Sequence, residues 1–342
     1  MAPSLPPSLQ ERRDKTKVEY VRLGVSGLHV SVPIVLDEDD SIEILKAAYD
    51  RGMNTWDTAD MYSNGISEEV IGKALKKHNL PREKLVIMTK CCIHVADQPD
   101  IFTPPLQQEM SQMKDYVNRG GLSRSAIFKA VEASLHRLGT DYIDLYQIHR
   151  FDPCTPVEET MRALHDLVVS GKVRYIGASS MWATQFARMQ SAAEKNGWTK
   201  FISMQNHYNL CYREEEREMI RYCNETGVGL IPWSPNFGGK LARPLGDRTS
   251  TRAQTPSPVG SGLTKADEEI ISRVERVAEQ KGWKMSQVAL SWLRSKGTVP
   301  IVGLDSLSRL EEACDLRGRK LTADEVKFLE EPYVPKNIIG HV

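Results

Sequence analysis

Residues 142–180 read YIDLYQIHRFDPCTPVEETMRALHDLVVSGKVRYIGASS. Two short strand-like runs, Tyr142–His149 and Val173–Ser180, flank a stretch in which Val157, Met161, Leu164 and Leu167 recur at helical spacing. Thr155, shortly before the acidic pair Glu158 and Glu159, has the chemistry of a capped helix start, and Gly171 sits where that helix should stop. Strand, helix and strand in so short a stretch predict a parallel βαβ unit.

The same alternation extends in both directions, from residue 33 to about residue 315. The other strand-like runs are Pro33–Leu36, Asn54–Ala59, Leu85–Lys90, Phe201–Tyr208, Val228–Pro235 and Thr298–Leu304. Eight such units in 342 residues predict an α/β fold of the (β/α)8 (TIM) barrel type, which typically takes ~250 residues before insertions. The surplus falls in two long irregular segments, Cys91–Leu122 after the third run and Asn236–Gly262 after the seventh. Long loops at the C-terminal ends of barrel strands usually shape a substrate pocket. Upstream, VRLGVSGLHVS (residues 21–31) reads as a hairpin with Ser26-Gly27 at its turn, placed to plug the bottom of the barrel. The expected organisation is a disordered arm over residues 1–19, one barrel domain over 20–335 and a tail over 336–342.

Composition narrows the function. Lys and Arg total 45 and Asp and Glu total 45, with no basic blocks, which argues against a nucleic-acid partner. No apolar run reaches the ~20 residues needed to cross a bilayer, and the Pro-rich start has no apolar signal core. The six cysteines (91, 92, 154, 211, 223 and 314) lack CxxC spacing and read as reduced thiols, so a cytoplasmic setting is expected. A metal-dependent hydrolase would need clustered ligands; His149, Asp152 and His94 are a poor set, because only one of them lies at a strand end. No metal site is expected.

The polar residues of interest fall at corresponding places in the repeats. Asp57, Lys90 and His149 each lie at or near the C-terminal end of a run, Tyr62 follows Asp57 by five residues, and Ser179, Gln205 and Trp233 hold equivalent positions later. Each alone has a plainer reading: a cap for Asp57, a solvated charge for Lys90, a packed aromatic for Tyr62 and a core imidazole for His149. Their joint occurrence favours chemistry, because barrel strand ends converge on one face. A tyrosine ordinarily titrates near pH 10, and an adjacent ammonium stabilises its phenolate. Asp57 would hold Lys90 charged and aimed, Tyr62 would donate a proton to a developing alkoxide, and His149 would orient a carbonyl.

On these residues the chain resembles the aldo-keto reductase superfamily. The matching motifs are NTWDTADMYSNGISEEVIGKAL (54–75), LVIMTK (85–90), YIDLYQIHR (142–150), VRYIGASS (173–180), MQNHYNL (204–210) and IPWSP (231–235), and the resemblance runs from about Tyr20 to Tyr333. The long segment after the third run and NRGGLSR (118–124) resemble the fungal aryl-alcohol dehydrogenase-like and versiconal hemiacetal acetate reductase-like branch, with a role in secondary metabolism. The resemblance implies NADPH as cofactor, Tyr62 as general acid with Lys90 and Asp57 as its modulators, and His149 as the carbonyl-orienting residue. It implies Ser179 and Gln205 at the nicotinamide carboxamide, Trp233 stacked on the ring and Ser234 at the pyrophosphate. Gly303 through Arg309 would grip the adenosine 2′-phosphate, with Glu312 toward the adenine. No Rossmann or Walker glycine motif is present.

One departure is large. Val32-Pro33-Ile34-Val35-Leu36 runs straight into Asp37-Glu38-Asp39-Asp40-Ser41, where the family places a Gly-rich loop, so roughly a dozen residues are missing at a point where even short βα loops take about 2–6. The expectation is a shortened first strand, weakened barrel closure and impaired activity. The alternative readings are a weakly active or non-catalytic cofactor-binding regulator, or a truncated splice or gene-model product. Smaller departures are Ser180, Asn236 and Ala313, and Asp305, which would repel the 2′-phosphate that Arg309 attracts.

Overall fold

A computed structural model describes residues 6–36, 42–247 and 262–341. The first described element is helix α1 (Pro7–Lys15), none of whose residues is buried, so the arm expected to be disordered before residue 20 holds a helix. An antiparallel hairpin follows, β1 (Glu19–Arg22) against β2 (His29–Val32). Ser26 shapes its turn, donating from Oγ to the Leu23 carbonyl at 2.7 Å and accepting from the Leu28 amide at 3.2 Å. Gly24 is required beside that turn: its φ is +58°, and a Cβ there would sit 2.3 Å from the Gly227 carbonyl oxygen. That close approach seats the hairpin against the barrel.

Eight parallel strands form the barrel: β3 (Ile34–Leu36), β4 (Thr55–Asp57), β5 (Val86–Cys91), β6 (Ile143–Ile148), β7 (Val173–Ser179), β8 (Ser203–Gln205), β9 (Gly229–Leu230) and β10 (Ile301–Gly303). Neighbours in sequence are neighbours in space from β3 to β9, and β10 pairs with β3. The ring closes between β9 and β10, where the Val299 amide donates to the Leu230 carbonyl and the Ile301 amide to the Pro232 carbonyl, both at 2.9 Å. β9 is shorter than the expected run because Pro232 and Pro235 have no N–H to give to a ladder.

The first barrel strand is short, as expected. β3 has only three residues, yet Ile34, Val35 and Leu36 pair with Ile301, Val302 and Gly303, while Val35 and Leu36 pair with Trp56 and Asp57 on the other side. Pairing draws on the main chain, which three residues supply. The alternation of the strand then sends Ile34 into the interior and Val35 into the outer layer. The departure at Asp37–Ser41 itself lies outside the described residues.

Interior packing is layered. Leu23, Val30 and Val32 of the hairpin plug the bottom against Ile34, Val86, Met88, Leu145, Ile231, Val299 and Ile301. On β5 the inward positions are Val86, Met88 and then Lys90, so continuing the same pleat swaps an apolar layer for a polar one toward the C-terminal ends.

The helices supply the outer layer. In α6 (Val157–Val169; α2 to α5 are Ile42–Asp50, Ile66–Lys77, Gln107–Met110 and Arg124–Leu138), Val157, Thr160, Met161, Leu164 and Leu167 are buried, and Glu158 and Glu159 occupy the first turn. Gly52, Gly139 and Gly171, expected as helix stops, all take positive φ just beyond α2, α5 and α6. Among the described residues no helix is long and apolar enough to cross a membrane, no metal-ligand cluster occurs, and all six cysteines are free.

Candidate active site

Four of the expected residues meet at the C-terminal end of the barrel. Asp57 closes β4, Lys90 lies on β5 and His149 follows β6, with its amide bonded to the Cys91 carbonyl at 2.8 Å. Tyr62 starts a single 3-10 turn that leads into α3. Lys90 Nζ donates to Asp57 Oδ2 at 2.6 Å and to the Thr58 carbonyl at 2.8 Å, and lies 3.5 Å from the Tyr62 hydroxyl. The Tyr62 and His149 rings meet edge to face, with centroids 5.7 Å apart.

The ammonium and carboxylate are sealed from water, at 0% and 1% side-chain exposure. Burial alone would depress the Lys90 pKa; attraction to Asp57 and Tyr62 outweighs it, and the net shift is upward. Lys90 is therefore a fixed positive charge beside a phenol. His149 behaves oppositely: burial, reinforced by Arg150 and Lys90, holds its pKa well below the ordinary imidazole value. It is neutral at physiological pH, and its Nδ1 is buried with no protein partner.

The expected cofactor residues fall into two groups. In the first, Ser179 Oγ donates to the Gln205 carbonyl at 2.8 Å. Gln205 Nε2 gives one hydrogen to Asp57 Oδ1 at 3.2 Å and the other to Gln147 Oε1 at 3.1 Å. Only its Oε1 then remains to meet a ligand, as an acceptor. Trp233 stands half-buried past β9, its Nε1 bonded to Ser180 Oγ at 3.0 Å and one ring face stacked on His207 at 4.2 Å between centroids. His207 stacks in turn on Tyr212. Burial pushes the His207 pKa down to about 3, so this platform is uncharged. Ser234, at φ +54°, accepts the Gly238 amide on Oγ.

The second group lies beyond β10. Gly303 ends that strand, and Ser306 caps the helix Leu307–Cys314 by accepting the Arg309 amide. Arg309 Nη1 bonds Asp305 Oδ2 at 2.8 Å, so the cation expected to attract a phosphate is partly neutralised from within. Glu312 turns toward the neighbouring helix Met285–Ser295, accepting from Ser286 Oγ at 3.1 Å.

Two segments frame the mouth. Asn64, at φ +49°, donates to the carbonyls of Gln98 and Ile101 at 2.8 and 2.7 Å and accepts the Ala96 amide at 2.9 Å, pinning the long segment after β5 beside Tyr62. The C-terminal stretch crosses from the opposite side. Lys336 pairs with Asp267 at 2.7 Å, the Ile339 amide donates to the Tyr212 hydroxyl at 2.9 Å, and His341 meets Trp182 edge to face at 4.8 Å. Sequence reading missed Gln147 and the His207–Tyr212 stack. The signal for Gln147 was available: it stands two residues before His149 and so shares its face of β6.

A model of the aldo/keto reductase family matches residues 30–333. An aldo-keto reductase of Fusarium vanettenii is 55% identical, with 98% of this chain and 97% of the relative covered. The versiconal hemiacetal acetate reductase of Aspergillus parasiticus is 52% identical, over 94% of this chain and 98% of its own length. A Schizosaccharomyces pombe protein named among the aryl-alcohol dehydrogenases is 48% identical over 90% of this chain and 96% of its own length. The alignment with the Fusarium protein extends over 361 positions, more than the 342 residues of this chain, so that relative carries residues this chain lacks.

Proposed function

Because the chain belongs to the aldo/keto reductase family, whose chemistry is carbonyl reduction with NAD(P)H, we propose that it is an NADPH-dependent reductase of aldehydes or ketones, acting in the cytoplasm on an aryl or polyketide-derived carbonyl. The single observation that carries the reading is the sealed Asp57–Lys90 pair lying against the Tyr62 hydroxyl beside a neutral His149.

The residues present fit a nicotinamide. Gln205 keeps an acceptor for a carboxamide, Ser179 lies beside it, and Trp233 has its first face held by His207. Ser234 stands in the strand-to-loop position of a pyrophosphate contact, and Gly303 to Arg309 form a strand-to-helix junction, where free N–H groups favour phosphate. Reduced nicotinamide, when bound, supplies a hydride to a carbonyl carbon.

The chain's own residues manage the oxygen. His149, neutral, polarises the carbonyl by donating a hydrogen bond and holds no imidazolium proton to deliver as the acid. As the oxygen gains negative charge, Tyr62 donates its proton, and the phenolate left behind faces the Lys90 ammonium. Asp57 fixes Lys90 in place and balances its charge, so the stabilisation is built in before the reaction begins.

The substrate class is inferred from the likeness to the Aspergillus reductase and from the long Asn64-pinned segment at the mouth. Oxidation of NADPH by the purified protein, with a panel of benzaldehydes and a quinone-type ketone, tests the reading, and NADH serves as the comparison. Turnover with NADPH supports it. Cofactor binding without turnover on any carbonyl would assign the chain as a binding regulator instead.

A further inference from the structure

We infer that Gln147 is a positioning residue that couples the proton-delivery group to the cofactor amide site, a role resting on the assignment of Asp57, Lys90 and Tyr62 above. Its side chain is fully buried in the barrel interior. Nε2 donates to Asp57 Oδ1 at 3.0 Å and Oε1 accepts from Gln205 Nε2 at 3.1 Å. One amide thus touches both machines, and the division of labour on Asp57 is complete: Oδ2 serves Lys90, while Oδ1 serves Gln147 and Gln205.

The surrounding backbone is built around it. Lys90, Gln147, Gly177 and Ser203 share one row of the sheet through successive parallel pairings. At Gly177 a Cβ would lie 3.2 Å from Gln147 Cγ and 2.4 Å from Ser203 Oγ, so the glycine leaves room for the side chain that reaches Gln205 on β8. An apolar side chain of the same length would fill that space, but it would strip Oδ1 of a donor and leave a buried Gln205 N–H unpaired.

Among the described residues, the charged groups facing Gln147 are Asp57 from β4 and Lys90 from β5; from β7 and β8 it meets Gly177, Ser203 and Gln205. This makes a carboxyl substitution informative. In Gln147→Glu the protonated acid still donates to Asp57 and accepts from Gln205, whereas the ionised form sets two carboxylates against each other.

The test uses the full-length chain and the variants Gln147→Met and Gln147→Glu, with kcat against pH and NADPH affinity by fluorescence. Gln147→Met should lower kcat on the order of 10-fold or more at every pH and weaken NADPH binding several-fold, through misplacement of groups it does not replace. Gln147→Glu should match that loss at pH 8 and recover most of it relative to wild type by pH 5.5. If Gln147→Met does not fold, the acid rescue of Gln147→Glu decides alone. Kinetics and binding within about twofold of wild type, or losses in Gln147→Glu with no pH dependence beyond that of wild type, overturn the inference. Tyr62→Phe runs alongside: normal turnover there overturns the underlying reading, whereas an inactive Tyr62→Phe beside wild-type-like Gln147 variants overturns the role of Gln147 alone.

Discussion

Replacing Asp57 with Asn probes the buried ion pair at the centre of the site. At 2.6 Å and an effective dielectric of about 20, the gross attraction between Lys90 and Asp57 is about 6 kcal/mol. Removing one member strands a desolvated charge, which costs about 3–5 kcal/mol. Lys90 would keep the Thr58 carbonyl and the Tyr62 hydroxyl, which places the expected loss inside that range rather than above it. With unfolding entropy near 2.1 cal/mol/K per residue across 342 residues, the melting temperature should fall by about 4–7 °C.

The pair also predicts a change in pH dependence. In the native protein the Lys90 pKa is raised, so its contribution is fully present below its ordinary value of about 10.4 and is lost only as pH climbs through the folded value. In Asp57→Asn, burial acts unopposed by a carboxylate and the sign reverses, so the variant should gain stability as pH rises from about 7 toward 10.4. Thermal melts across that range, with Lys90→Met and the double variant completing the cycle, measure both effects. The double variant should be less destabilised than the sum of the singles. A loss below about 1 kcal/mol, with additive singles and a flat pH response, would refute the claim that the two charges are held by each other.

Other expectations follow from the same geometry. Asp60 is buried, its Oδ1 lacks a partner, and its pKa is pushed well above the carboxylate range by burial and then by Glu68. Its contribution to stability is therefore present in acid and lost as pH rises, so Asp60→Asn should raise the melting temperature at pH 8 but not at pH 4, as thermal scans would show. Asn64→Ala removes the side-chain anchors of the long segment after β5 and should raise KM for a bulky aldehyde several-fold with a smaller effect on kcat, measured by steady-state kinetics. Asp305→Asn frees the Arg309 guanidinium and should tighten NADPH binding by up to about tenfold, whereas Arg309→Ala should weaken it comparably; neither should move NADH affinity in fluorescence titrations.

Much of this arrangement was legible in sequence because barrel strands carry their positions openly. Asp57, Lys90 and His149 lie at or near the ends of runs of alternating or apolar residues, and the βα order alone places those ends on one face. The extent of the strands was less legible. Phe201–Tyr208 narrows to Ser203–Gln205 and Val228–Pro235 to Gly229–Leu230, since prolines and irregular turns end pairing in ways that hydrophobicity does not report. That a three-residue β3 pairs on both sides is not legible in sequence, because backbone pairing depends on partners that are remote along the chain. For Gln147 the alternation with His149 reports the inward face, while its partners Asp57, 90 positions earlier, and Gln205, 58 positions later, are set by the fold. The pairing of Arg309 with Asp305 was visible only as two opposed charges four residues apart.

The most direct test of the account compares wild type with Tyr62→Phe in NADPH oxidation at saturating benzaldehyde, with NADPH binding followed by fluorescence in the same preparations. The variant should bind cofactor as tightly as wild type while turnover falls by at least about 100-fold, because the proton donor is gone and the site around it is intact. Turnover within a few-fold of wild type would contradict the assignment of Tyr62 as the acid, and with it the purpose ascribed to the Asp57–Lys90 pair.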